Sequence, residues 1–180
     1  YLNWRGISIK STRGRRNSVL IDCRNHGDSG HHDVMNYSVM ADDLIRVIDE
    51  LQLEKATLLG HSMGGKIVMT AACKYPDRVD GVISVDSAPY DYRAQTKYVS
   101  VVTKIVEKLK TLNDKGYTRN GLLEMLTTEL GDSGVANMIA TNIAFDENGL
   151  SSHWRSNKKI LIENLDNIYD YEKCGIYVGP

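Results

Sequence analysis

From Asn17 to Ala88 the chain alternates short β-branched runs with segments of helical periodicity, the pattern of βαβ units that build a parallel sheet. The first run, Ser18-Val-Leu-Ile-Asp22, is short and apolar throughout, which predicts a strand buried on both faces. A polar loop, Arg24 to Gly30, follows. Met40, Leu44, Val47, Ile48 and Leu51 then recur at the 3.6-residue period and predict an amphipathic helix, with Ser38 placed to cap it. A second strand, Ala56 to Gly60, runs into Gly60-His-Ser-Met-Gly-Gly65 and on into a helix with Ile67, Val68, Ala71 and Ala72 along one side; Pro76 ends it. Gly81 to Asp86 predicts the third strand, stopped near Pro89.

Beyond Tyr92 the texture changes to helices without intervening strands. One amphipathic stripe runs through Tyr98, Val101, Val102, Ile105, Leu109 and Leu112, and further helices are predicted at Leu122 to Leu130, Val135 to Ile143 and Ile160 to Ile168. Strands followed by helices predict a second, helical subdomain.

Composition narrows the function classes. The 180 residues are 42% hydrophobic and 25% charged, with net charge −1, as a water-soluble globular domain requires. The longest apolar runs are far short of the roughly 20 residues that span a bilayer, so no membrane segment is predicted. Near-neutral charge gives no electrostatic footprint for nucleic acid; Arg13, Arg15 and Arg16 form only a local cluster, read as a solvated turn. The 3 cysteines match no zinc or redox spacing and fit a reducing, intracellular setting. His31 and His32 lack partners at metal-ligand spacing, so no metal is expected, and nothing in the sequence implies a cofactor.

The sharpest chemical signal is Gly60-His61-Ser62-Met63-Gly64, a G-x-S-x-G set between a predicted strand and a predicted helix. A tight strand-to-helix turn throws the serine clear of the sheet, and it demands small neighbours, which Gly60, Gly64 and Gly65 supply. It also sets Ser62 at a helix N-terminus, where the amide of Met63 is a natural oxyanion donor. A glycine-rich turn of this kind also serves close packing or phosphate binding; the strand before it and the helix after it favour the nucleophile. Serine needs a base, usually a histidine oriented by a carboxylate. His61 is adjacent to Ser62 in sequence, but neighbouring side chains on a sharp turn diverge, so it reads as a bracing residue. His61 itself, His26 in the loop after the first strand, and His153 and Trp154 in the helical segment are candidates for the lining of a substrate pocket. Asp86, at the C-terminal end of the third strand, is the leading acid, because ligands and catalytic groups collect at that edge of a parallel sheet. Asp22 ends the first strand in a comparable way and reads as the brace of the Arg24-to-Gly30 loop.

Asp22-Cys-Arg-Asn-His-Gly-Asp-Ser29, Met35-Asn-Tyr37, Asp42 to Leu51, Gly60-His-Ser-Met-Gly-Gly-Lys66, Pro76-Asp-Arg78 and Val85-Asp-Ser-Ala-Pro-Tyr-Asp-Tyr92 together closely resemble the α/β-hydrolase fold. Within it they are similar to the small intracellular YbfF-type esterases and their eukaryotic mitochondrial relatives, strongly over residues 17–92 and more weakly beyond, where His153-Trp-Arg155 matches a Trp-Arg pair of that family. The resemblance implies an α/β class protein: an incomplete hydrolase core over residues 1–91, a helical cap over 92–172 and the start of a return to the core over 173–180. It further implies a cytoplasmic or mitochondrial serine hydrolase of small acyl esters or thioesters, with Ser62 as nucleophile, Met63 as oxyanion donor and Asp86 as acid. The family's His-Gly oxyanion loop and its late catalytic histidine fall outside Tyr1 to Pro180, so these residues alone are expected to be nearly inert. The alternative is a non-catalytic protein of the same fold that binds or scaffolds.

Overall fold

The computed structural model describes residues 2–12, 17–94, 96–113, 115–171 and 175–179. Arg13, Arg15, Arg16 and Cys174 lie outside them. The chain divides into two compact units, one of residues 32–100 with 159–180, the other of residues 1–31 with 101–158.

The first unit is built on a β-α-β crossover. Helix α2 (Tyr37–Glu50) precedes strand β1 (Ala56–His61), helix α3 (Met63–Lys74) and strand β2 (Val79–Val85). The strands pair in parallel, Leu58 opposite Val82 and His61 opposite Val85. A parallel pair requires a crossover element, and α3 provides it while packing on both strands and on α2. Ala41, Ile45 and Ile48 of α2 meet Leu58, Val68, Ala71, Ala72 and Val79 to form the core. Lys74 and Tyr75 both bind the Asp42 carboxylate at 2.5 Å, tying the end of α3 to α2. The return segment carries α7 (Lys158–Glu163), whose first residue is the last of the other unit, and α8 (Leu165–Tyr169). It is stitched to this unit by Met35 N–H on Asn164 and by Tyr37 O–H on the Ile168 carbonyl at 2.6 Å.

The second unit opens with α1 (Leu2–Thr12) and holds most of α4 (Thr96–Thr111), then α5 (Arg119–Leu130), α6 (Ser133–Ala140) and a hairpin of β3 (Ile143–Phe145) and β4 (Ser151–Trp154). Leu112, Leu122, Leu126, Ala136, Ile139, Ala140 and Ile143 form its core. The helix ends follow from sequence: Thr118 and Asp132 cap α5 and α6 by accepting from Gly121 and Val135, and Gly131, with φ 70°, closes α5 in the left-handed conformation. Lys108 of α4 pairs with Glu129 of α5.

Three expectations are corrected. Residues 17–23 are not a strand: they pair with no other strand among the described residues, and Val19 and Ile21 are exposed, because an apolar run becomes a strand only where a ladder partner accepts it. β1 and β2 are exposed on one side, where Leu59, Ile83 and Val85 remain 40–49% exposed. Asn36, not Ser38, caps α2, its carboxamide oxygen accepting from Val39 N–H at 3.0 Å. The region after Tyr92 is not all helix: Asp146 receives the amides of Asn148 and Leu150, Gly149 takes φ 73°, and the resulting turn folds β4 back on β3. His153 and Trp154 therefore stand on a strand.

Leu126 is fully buried in the second unit's core. Leu126→Ala should lower stability by about 2–5 kcal/mol, and Leu126→Met by less than about 1.5 kcal/mol, because methionine keeps the volume. Urea unfolding followed by circular dichroism measures the difference.

Candidate functional site

The link between β1 and α3 is a single residue. Ser62 has φ 53° and ψ −117°, a combination costly for any side chain that bears a Cβ. Its own backbone holds it there. Ser62 N–H donates to the Val85 carbonyl of β2 at 3.0 Å, and its carbonyl receives the amides of Gly65 at 2.9 Å and Lys66 at 3.2 Å. The Ser62 hydroxyl makes no capping hydrogen bond to α3, so it is not consumed by the helix it precedes.

The glycines divide the work unequally. A Cβ on Gly60 would lie 2.1 Å from the Gly64 carbonyl oxygen, and one on Gly65 would lie 2.6 Å from Ser87 Cβ and 2.7 Å from Ser84 Oγ. Only glycine permits those approaches. Gly64 meets nothing within 4 Å, so the turn does not need it for room. Ser84 Oγ in turn donates to the Ser87 carbonyl, bracing the loop that leaves β2.

Met63 opens α3, and its N–H has no acceptor among the described residues, as expected of a first helical amide. It is free to receive an anion developing beside Ser62. The register that sets His61 opposite Val85 brings Asp86 to the residue after that pair, beside the elbow. Asp86 has φ 49° and an exposed carboxylate, and His61 Nε2 lies 3.9 Å from its Oδ2. Ser62, Met63, His61 and Asp86 thus converge at the C-terminal edge of the β1–β2 pair.

The remaining candidates belong to the other unit. His26 is half-buried; its Nδ1 lies 3.0 Å from the Arg24 carbonyl, and its pKa is lowered, chiefly by burial, against the opposing pull of that carbonyl and of Asp22. Asp22 receives Asp28 N–H at 3.4 Å and fills the space a Cβ on Gly27 would occupy, while its carbonyl accepts from Ser29. His153 sits against Ser152 Oγ at 3.0 Å, and Trp154 presents its ring to the Lys158 ammonium.

Reasoning from the sequence missed Lys66. It is fully buried, and its Nζ donates to the Tyr169 and Asp170 carbonyls, both at 2.8 Å, over the Tyr92 ring at 4.0 Å. Burial pushes its pKa down to about 8, against the opposing carboxylates of Asp91 and Asp170. The signal was a lone cation in the otherwise apolar and small run Met63-Gly-Gly-Lys-Ile-Val-Met69.

Among the described residues no helix is long and apolar enough to cross a membrane, and no cluster of three or more histidine, cysteine or acidic residues could hold a metal.

Residues 1–138 match the model of the α/β hydrolase fold family. Esterase YbfF of Escherichia coli is 31% identical over 177 residues, 97% of this chain and 65% of its own length. The sn-1-specific diacylglycerol lipase ABHD11 of Xenopus tropicalis is 32% identical over 183 residues, 99% of this chain and 56% of its own length. Among solved structures, a marine microorganism esterase superposes with a TM-score of 0.85 at 33% identity, covering 97% of this chain and 66% of that one. The chain therefore spans between about half and two thirds of the length of these relatives.

Two outcomes are expected of this geometry. Gly60→Ala should cost more than about 3 kcal/mol by forcing apart the elbow's backbone, whereas Gly64→Ala should change stability by less than about 1 kcal/mol; thermal unfolding separates them. Lys66 is depressed in the folded protein, so the unfolded chain binds the proton more tightly between about pH 8 and pH 10. Its contribution to stability is then greatest above pH 10 and is lost as pH falls through about 8, with a slope of at most about 1.4 kcal/mol per pH unit. Denaturation at several pH values should show that slope in the native protein and not in Lys66→Met.

Proposed function

This chain belongs to the α/β-hydrolase fold family, and on that premise we propose that the protein is a hydrolase of small carboxylic esters, thioesters included, with Ser62 as nucleophile. The observation that carries the reading is the strained backbone of Ser62, φ 53° and ψ −117°, between a parallel strand and the helix that follows it. Strain of this kind persists only where the surroundings enforce it, and here, among the described residues, the hydroxyl makes no capping hydrogen bond and the Met63 amide meets no acceptor.

The reaction runs in two halves. Ser62 Oγ adds to the substrate carbonyl carbon as a base takes its proton, and the carbonyl oxygen becomes an oxyanion held by Met63 N–H. Collapse breaks the bond to the alcohol or thiol, which leaves with the base's proton, and the acyl group stays on Ser62. Water, deprotonated by the same base, adds to the acyl carbon; the second collapse releases the acid and restores Ser62. Asp86 orients the base and balances its positive charge. The base in this reading is the late histidine that the family resemblance implies, not His61, whose Nε2 lies 3.9 Å from Asp86 Oδ2. Residues 1–91 are read as hydrolase core, 92–172 as a helical cap and 173–180 as the return to the core. The esterase and diacylglycerol lipase among the relatives support ester substrates, and a cytoplasmic or mitochondrial setting goes with that assignment.

The intact protein should hydrolyse short-chain nitrophenyl esters and be labelled by a fluorophosphonate. Ser62→Ala should lower kcat about four to six orders of magnitude and abolish labelling, and Asp86→Asn should lower kcat about four orders. Substantial Ser62-dependent turnover by residues 1–180 alone would overturn the assignment of the base. An intact protein that neither turns over nor labels would instead be a binding or scaffolding member of the fold.

A further inference from the structure

A buried ammonium is expensive, and a methionine of similar shape would fill the same space at less cost. What methionine cannot do is donate hydrogen bonds. Lys66 Nζ reaches the carbonyls of Tyr169 and Asp170 at 2.8 Å each, at the end of α8, where two backbone oxygens have run out of helical partners. The Tyr92 ring face lies 4.0 Å away and the Tyr37 ring 5.3 Å away. Both rings are fixed in turn: Tyr37 O–H donates to the Ile168 carbonyl, and Tyr92 Oη accepts from Ala88 N–H at 2.7 Å. Arg93 binds Asp91 and lies 3.3 Å from Asp170, so the groups around the ammonium are themselves cross-linked.

Tyr92 lies where the chain leaves the sheet for residues 101–158, and Tyr169 and Asp170 lie where it has returned. Lys66 stands in the first turn of α3, and its own N–H is one of the two that hold the Ser62 carbonyl.

We propose that Lys66 is a positioning residue for the nucleophile, its side-chain nitrogen pinning the first turn of α3 to the outgoing and returning segments so that the strained Ser62 backbone cannot relax. The proposal rests on the reading of Ser62 as nucleophile. Lys66 touches no reacting atom; it acts through the turn it holds. It also makes the elbow sensitive to the two segments that lead to and from residues 101–158, because one nitrogen holds all three.

The test compares the intact native protein with Lys66→Met. Hydrogen exchange read by mass spectrometry should accelerate about tenfold or more in peptides covering residues 88–94 and 165–171 of the variant, with α2 unchanged. Active sites are then counted by fluorophosphonate titration. The kcat per titrated site should fall roughly ten- to a hundredfold with KM little changed, which a merely less stable protein would not show. Unchanged exchange, or native kcat per titrated site, overturns the proposal. A measurement on the native protein decides the case even where the variant does not fold. A lysine-selective nitrogen-15 spectrum should contain one side-chain nitrogen whose hydrogens exchange slowly and are shifted by an aromatic ring, and a spectrum with only fast-exchanging lysines overturns the proposal. No labelling of Ser62 in the native protein overturns the underlying reading itself, whatever the exchange data show.

Discussion

The approach of the backbone to itself at the strand-to-helix bend governs the rest of this structure. With Gly60 packed on the Gly64 carbonyl and Gly65 on Ser84 and Ser87, the chain turns within one residue, and that residue must take a positive φ. The free energy stored in Ser62 has to be supplied elsewhere, by the parallel pairing of β1 with β2 and by the packing of α3 across both strands. Two consequences come from the same bend: the hydroxyl makes no capping hydrogen bond to α3, and the first amide of α3 meets no acceptor among the described residues.

Lys66 shows the opposite use of free energy. Its depressed pKa records what burial of the ammonium costs, yet the side chain is placed with two carbonyls and an aromatic face around it. An apolar core gains stability from burial without fixing a unique arrangement of polar backbone, whereas a cation among carbonyls tolerates few geometries. In a unit whose Asp91, Arg93 and Asp170 already form a charged network, that restriction falls on the segments flanking the longest excursion of the chain away from the sheet.

The second unit is held differently, by an apolar core of Leu122, Leu126, Ile139 and Ile143 and by side-chain caps at Thr118 and Asp132. Its hairpin escaped notice in the sequence because β3 and β4 are only 3 and 4 residues long, too short for alternation to show. The signal lay in Asp146-Glu-Asn-Gly149, where a carboxylate accepting two amides and a glycine at φ 73° specify a turn.

The sequence by itself determined the elements whose cause is local. The 3.6-residue stripe of α2, the β1–turn–α3 order, the glycines around Ser62 and the position of Asp86 one residue past β2 are all readable from neighbours in the chain, because periodicity and steric demand act over a few residues. Tertiary structure decided whatever depends on partners distant in sequence. Among the described residues it formed no strand over 17–23 despite their strand-like composition, and it exposed one side of β1 and β2. It also joined Lys66 to carbonyls more than 100 residues away. A strand needs a ladder and a buried charge needs acceptors, and neither requirement is written in the residues that carry it.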